Sequence, residues 1–308
     1  MALVNTKLVC VVGGSGQIGQ RVTQVFAARG RPVVCTYYRN QQQGSERLDA
    51  ADAEAVLRLM RRLQPSLIVN SVNAQGGTDA CEMDPELARR AHVETARNLV
   101  DAARSVGARF VQISTDYVFD GQTGPYSEAE VPAPLSRLGQ AKLDAERYAM
   151  AHVPDALVVR TSFVFSWAPQ IRTKNFVMHI LQHSEQGTTL RVPTDQMGNV
   201  TYAPNFAAAL VELVELGVSG CFHLAGTTWC SKYDWARRVV EYFGLRPDLI
   251  QGVPTRELRQ VGPRPLRSGL RLEKVQRVLK RTKLLSLEEG LTEMKRERDS
   301  AEVPVGVR

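Results

Sequence analysis

Three glycines at equal intervals, Gly13, Gly16 and Gly19, lie in the run Gly13-Gly14-Ser15-Gly16-Gln17-Ile18-Gly19, directly after the apolar stretch Lys7 to Val12. Between a strand and a helix, such a turn cradles phosphate. Gly13 permits the tight turn, Gly16 lets the backbone approach a pyrophosphate, and Gly19 lets the helix pack close to the strand, with the helix N-terminus facing the negative charge. Ser15, Gln17 and Ile18 line the same mouth and complete the predicted cofactor-binding set. The second strand ends in Tyr37-Tyr38-Arg39-Asn40, where a carboxylate would accept the ribose hydroxyl of NAD. No carboxylate stands there, and the Arg39 guanidinium suits a 2′-phosphate, so NADP(H) is favoured and NAD(H) comes second. The alternative is that Arg39 only covers surface. Asp49, after Leu48, is placed beside the adenine ring.

The elements that must hold this turn are legible as alternation. Apolar runs at Lys7 to Val12, Pro32 to Tyr37, Leu67 to Asn70, Arg109 to Ile113 and Ala156 to Arg160 read as strands. Helical patterns at Gln17 to Arg29, Ala53 to Leu63, Pro85 to Ser105 and Leu138 to Ala151 separate them. That alternation predicts an α/β fold, a doubly wound parallel sheet of Rossmann type. Residues 1–165 are assigned to dinucleotide binding. Residues 166–308 are assigned mainly to a smaller substrate lobe, interleaved with the last sheet elements. Its helices are expected near Asn175 to Gln186, Pro204 to Leu216, Lys232 to Phe243 and Glu273 to Lys283, with short strands around Arg191 and Phe222. The tail from Ser286 alternates Glu with Lys/Arg and reads as a solvated helix with a frayed end.

Composition narrows the function classes. The chain has 308 residues, 44% hydrophobic and 23% charged, as in ordinary globular proteins. The opening apolar stretch is too short for a signal peptide and no run is long enough to span a membrane, so the chain reads as cytoplasmic. Five scattered cysteines without a C-x-x-C pair suggest neither a zinc cage nor a disulfide framework. His179 and His183 stand four apart on a predicted helix but bring no carboxylate and no third ligand, so no metal is assigned. The net charge of +7 is regional: Arg256 to Lys283 carries ten Lys/Arg against two Asp/Glu. Without a nucleic-acid-binding signature, this run is a solvated face or a wall toward a diphosphate, not a nucleic-acid surface.

Ile113-Ser114-Thr115-Asp116-Tyr117-Val118-Phe119-Asp120-Gly121 closely resembles dTDP-4-dehydrorhamnose reductases, within the extended short-chain dehydrogenase/reductase superfamily. Further stretches resemble the same family in order: Arg160-Thr161-Ser162, Lys174-Asn175-Phe176-Val177, Asp195-Gln196-Met197-Gly198, Thr201-Tyr202-Ala203-Pro204, Phe222-His223-Leu224-Ala225-Gly226 and Arg264-Pro265. The resemblance implies reduction of a 4-keto sugar nucleotide by hydride from a nicotinamide. A Ser/Thr binds the carbonyl oxygen, a Tyr donates the proton, and a Lys four residues later lowers that Tyr's pKa and holds the nicotinamide ribose. Thr115 and Lys142 match, and Asp116 is counted with them as a catalytic candidate. The Tyr position in Ser136-Arg137-Leu138-Gly139-Gln140-Ala141-Lys142 holds Leu138, which has no proton to give. His92 stands where the family usually has Asn. Substitute acids would come from Tyr117, Tyr126, Asp116 and His92. Asn175, Arg264 and Ser268 are the substrate-binding candidates, with the Arg264–Ser268 segment expected over the diphosphate. Two readings follow: a reductase with an atypical proton donor, or a silent dinucleotide-binding homologue serving as a regulatory or partner subunit, as the beta subunit of methionine adenosyltransferase does. A homodimer is the other partner expected.

Overall fold

The computed structural model describes residues 7–171 and 175–302, so Lys174 and the frayed end expected at the C-terminus lie outside the described residues. Seven parallel strands form the main sheet: β1 (Val9–Val12), β2 (Val33–Tyr37), β3 (Glu46–Arg47), β4 (Leu67–Asn70), β5 (Arg109–Thr115), β6 (Leu157–Thr161) and, later in the chain, β11 (Gly220–His223). Their spatial order is β11-β6-β5-β4-β1-β2-β3. Residues of β1, β4 and β6 are buried along their whole length, as strands covered on both faces must be. On one face pack α1 (Gln17–Ala28) and α8 (Ala203–Glu215), burying Val22, Phe26, Phe206 and Leu210 against Val9, Val11 and Val69. On the other lie α2 (Ala53–Leu63) and α5 (Thr95–Val106), which bury Val56, Met60, Leu99 and Val100 against Cys10 and Ile68. The chain therefore reverses direction beside β1, and the C-terminal edges of β1, β4 and β5 face one crevice.

The remaining elements fill in around that crevice. They are α3 (Gly77–Met83), α4 (Pro85–Ala88), α6 (Arg137–His152), β7 (Val164–Phe165), α7 (Phe176–Gln186), β8 (Leu190–Pro193), β9 (Met197–Asn199) and β10 (Thr201–Tyr202). After β11 come β12 (Trp229–Ser231), α9 (Lys232–Phe243), β13 (Ile250–Val253), α10 (Glu273–Val278) and α11 (Leu287–Glu302). Strands β7 and β10, β9 and β12, and β8 and β13 form three two-stranded sheets, with Met197 of β9 also bridged to Arg267. They surround a core of their own at Phe165, Ile180, Trp235 and Val239. The segment 265–271 ties this part to the main sheet: Arg267 N donates to Gly121 O at 2.8 Å and Gly124 N donates to Arg267 O at 3.0 Å.

Three expectations about elements change. The helix expected over Pro85 to Ser105 is interrupted by a π-helical turn, Arg89–Glu94, which carries the buried His92; Thr95 Oγ1 donates to the Arg90 carbonyl there. The helix from Glu273 ends at Val278 rather than Lys283, because the backbone N–H groups of Lys280, Arg281 and Thr282 bond the buried carboxylate of Glu212 instead of continuing the helix. The tail helix is not merely solvated. Leu287, Leu291 and Met294 of α11 are buried, and Glu297 pairs with Arg21 of α1.

Behind the sheet, β6 carries a buried cation. Arg160 lies 2.6 Å from Glu146 of α6, both nearly inaccessible, with its guanidinium carbon 5.0 Å from the Phe119 ring centroid. His223 sits beside it, fully buried, its Nδ1 3.1 Å from Tyr126 O and its Nε2 3.4 Å from Arg160 Nη1. Burial, then the Arg160 charge, bring His223 down to about 3 from an ordinary 6.5. Between those values the unfolded chain binds a proton that the folded chain refuses, so stability falls as pH drops from 6.5 toward 3. One such group gives a slope of about 1.4 kcal/mol per pH unit at full separation. His223→Gln is expected to lose on the order of 2 kcal/mol less than the unaltered protein between pH 7 and pH 4.5, read from urea unfolding midpoints. Equal losses would refute this account.

Candidate functional site

The glycine turn is built as its spacing predicts. Gly13 adopts φ +79°, and its carbonyl accepts from Gly16 N at 3.0 Å. A side chain at Gly19 would place its Cβ 2.4 Å from Gly13 O and 2.5 Å from Ser71 Oγ, so only glycine lets α1 approach β1 and β4 this closely. Gly16 caps α1 with no side-chain acceptor, and the first turn holds no acidic residue, leaving the positive end of the helix open. Gln17 Nε2 is buried there without a partner among the described residues. An orphaned amide donor beside uncapped backbone N–H groups is the donor set an anionic diphosphate satisfies. Ser15 O accepts from Gln42 Nε2 at 3.5 Å, and Ile18 packs against the core under the turn. Arg39 is exposed at the end of β2, its guanidinium 5.4 Å from the Tyr38 ring centroid and one nitrogen 3.2 Å from Gln75 Oε1. Asp49 has partners for both oxygens, Ala51 N at 3.0 Å and Arg90 at 3.2 Å.

Farther along the same edge, Thr115 ends β5. Its hydroxyl donates to Asp116 Oδ1 at 3.1 Å and accepts from Tyr117 N at 3.2 Å. Leu138, early in α6, is buried with Ala74, Cys81, Ala88 and Ala141, against Tyr117. One turn later Lys142 crosses behind Thr115, its Nζ 3.0 Å from Val72 O and 3.4 Å from Ile113 O. Val72 follows β4 by two residues and its backbone lies beside Gly13, while Ile113 precedes Thr115 by two on β5, so the two carbonyls link the ammonium to both segments. Burial brings it down to about 8.

Several expected site residues are committed elsewhere. Asp116 is buried and accepts from Thr115, from Ser162 Oγ at 2.7 Å and from Ser268 Oγ at 2.6 Å; burial pushes its pKa up while these donors oppose the rise. It is a knot between segments, not a free acid. Ser268 spends its hydroxyl in that knot. Arg264 is not held for a diphosphate alone: Nη1 lies 2.6 Å from Asp79 Oδ1, which also binds Val261 N and Gly262 N. Asn175 caps α7, its side chain donating to Ser166 O at 2.8 Å and accepting from Met178 N at 3.2 Å.

The substitute acids separate on the same grounds. His92 is buried with Nε2 unpartnered, and burial and the nearby Lys142 hold it well below its usual pKa, so it stays neutral. Tyr126 is turned away, its hydroxyl bound to Asp120 and its ring stacked on Phe119 at 4.3 Å. Tyr117 keeps its proton: burial, then Asp116, push it up to about 12, opposed by Arg264. Phe163, next to Ser162 in the chain, and Lys232 carry no motif, because only the fold sets the Lys232 ammonium over the Phe163 ring. Among the described residues no helix is long and apolar enough to cross a membrane.

The sequence matches the family described as RmlD substrate binding domain over residues 7–299. A probable low-salt glycan biosynthesis reductase, Agl14, of Haloferax volcanii is 30% identical over 271 residues, 86% of this chain and 90% of that protein. The dTDP-4-dehydrorhamnose reductase of Mycobacterium tuberculosis is 30% identical over 266 residues, 84% and 83% of the two chains. The crystal structure of the Bacillus anthracis dTDP-4-dehydrorhamnose reductase in complex with NADP superposes with a TM-score of 0.85 at 24% identity, covering 95% of this chain and 99% of that one.

Gly19→Ala is expected to force the turn open, since its new Cβ meets the Gly13 carbonyl oxygen and the Gly14 backbone as well as the Ser71 hydroxyl. A loss of about 1–3 kcal/mol in stability and at least a tenfold loss of NADPH affinity should follow, read by thermal melting and fluorescence titration. A variant that melts and binds like the parent would show the close approach to be incidental.

Proposed function

The chain belongs to the RmlD substrate binding domain family, and from that premise we propose that it reduces the carbonyl of a keto sugar nucleotide, of the 4-dehydro-6-deoxy class or a related carbonyl compound. NADP(H) is the preferred reductant and NAD(H) an alternative. One observation supports this above the others: the uncapped α1 N-terminus with its orphaned Gln17 amide shares a sheet edge with Lys142 and Thr115. Gly13, Ser15, Gly16, Gln17, Ile18 and Gly19 would hold the diphosphate, Arg39 the 2′-phosphate, and Asp49 the adenosine end. When bound, the nicotinamide supplies hydride.

The chain's own residues do the rest. Thr115 exchanges its hydrogen bond to Asp116 for one to the substrate carbonyl, while Ser162 and Ser268 keep Asp116 in place and hold the hydroxyl's position. Lys142 has three protons and two carbonyl partners, so the third is free for the ribose. Leu138 presents hydrocarbon where a proton donor is expected. The proton therefore comes from water or, less readily because burial holds its proton, from Tyr117, whose residue packs against the same cluster as Leu138. General acid catalysis contributes about 10²- to 10⁴-fold, so its loss slows hydride transfer without abolishing it.

The same Leu138 favours a second reading, a dinucleotide-binding partner subunit without turnover. Leu138→Tyr is expected to raise NADPH oxidation with a 4-keto sugar nucleotide by about 10²- to 10⁴-fold over a slow parental rate. Binding of NADPH with no oxidation by the unaltered chain, restored in the variant, would establish the second reading instead. For the cofactor, Arg39→Ala should weaken NADPH about tenfold and NADH little, since only the former offers the guanidinium a phosphate; equal losses would overturn the preference.

A further inference from the structure

Lys232, the first residue of α9, places an ammonium where burial and the nearby Arg264 charge disfavour it. Its Nζ lies 5.2 Å from the centroid of the Phe163 ring, and among the described residues that ammonium has no hydrogen bond and no ion pair. The residue is half-buried. Burial, and next the charge of Arg264, bring its pKa down to about 8, against the pull of Asp116 and Asp79. It also stands at the positive end of the α9 dipole, where a cation is repelled. Asp234, in the same first turn, is bound to the cap residue Ser231 at 2.7 Å. The two carboxylates facing Lys232 are engaged as well: Asp116 by three hydroxyls, Asp79 by Arg264 and two backbone N–H groups. An unpaired cation held in such a place lacks an anion.

Its location says which anion. Thr115 bonds Asp116, Asp116 bonds Ser162, Ser162 precedes Phe163, and the Phe163 ring carries Lys232. Phe163 adopts φ +40°, a left-handed conformation that costs a non-glycine residue energy, so the ring's direction is imposed by its surroundings. It is wedged against Gly198, where an added Cβ would come within 2.9 Å of the ring, and stacked on Trp235 at 5.8 Å. This path ties Lys232 to the carbonyl-binding end of the cleft, where the sugar would sit.

We propose that Lys232 binds a carboxylate carried on the sugar ring of the substrate, so that the substrate class is an acidic, uronic-type keto sugar nucleotide. This rests on the nucleotide-sugar reading above and selects its related-carbonyl branch, because a uronic sugar carries its carboxylate at C6, where a 6-deoxy sugar has a methyl group. The carboxylate takes the hydrogen bonds that the ammonium lacks, with Phe163 covering the opposite side of the cation. The only other anion on such a substrate is its diphosphate, and the test separates the two.

Calorimetric titration, with NADPH present, would compare UDP-glucuronic acid with UDP-glucose, dTDP-glucuronic acid with dTDP-glucose, and UDP and dTDP alone. For the base that binds, the uronate should bind about tenfold or more tightly than the neutral sugar at pH 7. That preference should vanish in Lys232→Met, which should bind the nucleoside diphosphate as the parent does and melt no lower. In the parent, the preference should shrink as pH rises through about 8, where the ammonium loses its proton. Equal binding of the two sugars by the parent overturns the carboxylate assignment and leaves the nucleotide-sugar reading standing. Equal weakening of nucleoside diphosphate and uronate in Lys232→Met assigns the ammonium to the diphosphate and overturns it likewise. Failure of every sugar nucleotide and nucleoside diphosphate to bind overturns both readings together.

Discussion

A single buried carboxylate decides whether the two halves of this molecule share a cleft. Asp116 accepts hydroxyl hydrogen bonds from Thr115 on β5, from Ser162 just after β6 and from Ser268, 152 residues farther along the chain. Among the described residues no arginine or lysine forms an ion pair with it, so these three donors offset its burial, and removing one weakens that compensation, at about 1–3 kcal/mol. The geometry follows from that cost. With Ser268 held at Asp116, the segment around it is pinned between the 121–126 loop and β9. Thr115, at the head of the network, has its side chain oriented before any substrate arrives.

What the sequence disclosed, and what it withheld, divides along the same line. The glycine turn and the first βα alternations depend on local pattern and on motif spacing, and both are printed in the chain. The partners of Arg264, Ser268 and Asp49 are not. Arg264 meets Asp79 across 185 residues and Ser268 meets Asp116 across 152, and no periodicity reports such a contact. Lys232 and Phe163 were invisible for the same reason: one looks like the start of an amphipathic helix, the other like a core aromatic, until the fold sets one over the other. The π-helical turn at Arg89–Glu94 escaped for a different one. It adds a residue to a helix without disturbing the apolar pattern on either side.

Charge tells a similar story on a larger scale. The basic run from Arg256 to Lys283 looks like a surface for a polyanion, yet much of it is spent on the protein itself. Arg264 pairs with Asp79, Arg281 with Glu215 and Lys283 with Glu289, while Lys274 donates to Cys221 O and Arg271 to Pro125 O. Apart from the local pair Lys283–Glu289, these contacts fasten the C-terminal segment to α3, α8, β11 and the loop before α6. The cation with the strongest electrostatic claim on a ligand, Lys232, lies outside the run altogether. Net charge is thus a poor guide here, because an arginine already facing a carboxylate offers a ligand little new energy, whereas an unpaired, half-buried ammonium offers much.

The exchange of a tyrosine for Leu138 can be weighed in these terms. A phenol at that position of α6 would need a polar partner, and Lys142 one turn later would supply it. Leucine removes the need: it packs into Ala74, Cys81, Ala88 and Ala141, and Lys142 turns to the carbonyls of Val72 and Ile113. The lysine is therefore not orphaned, and a buried His92 beside it stays neutral without adding a second cation to the pocket. A site that had merely lost its acid would be expected to keep an unsatisfied ammonium at its centre. Here Leu138 packs in an apolar wall and two backbone carbonyls hold Lys142, so on the proposed reading the lysine keeps its place toward a cofactor without a phenol one turn before it. The same reading brings the proton from solvent, because burial leaves Tyr117 holding its own well above neutral pH.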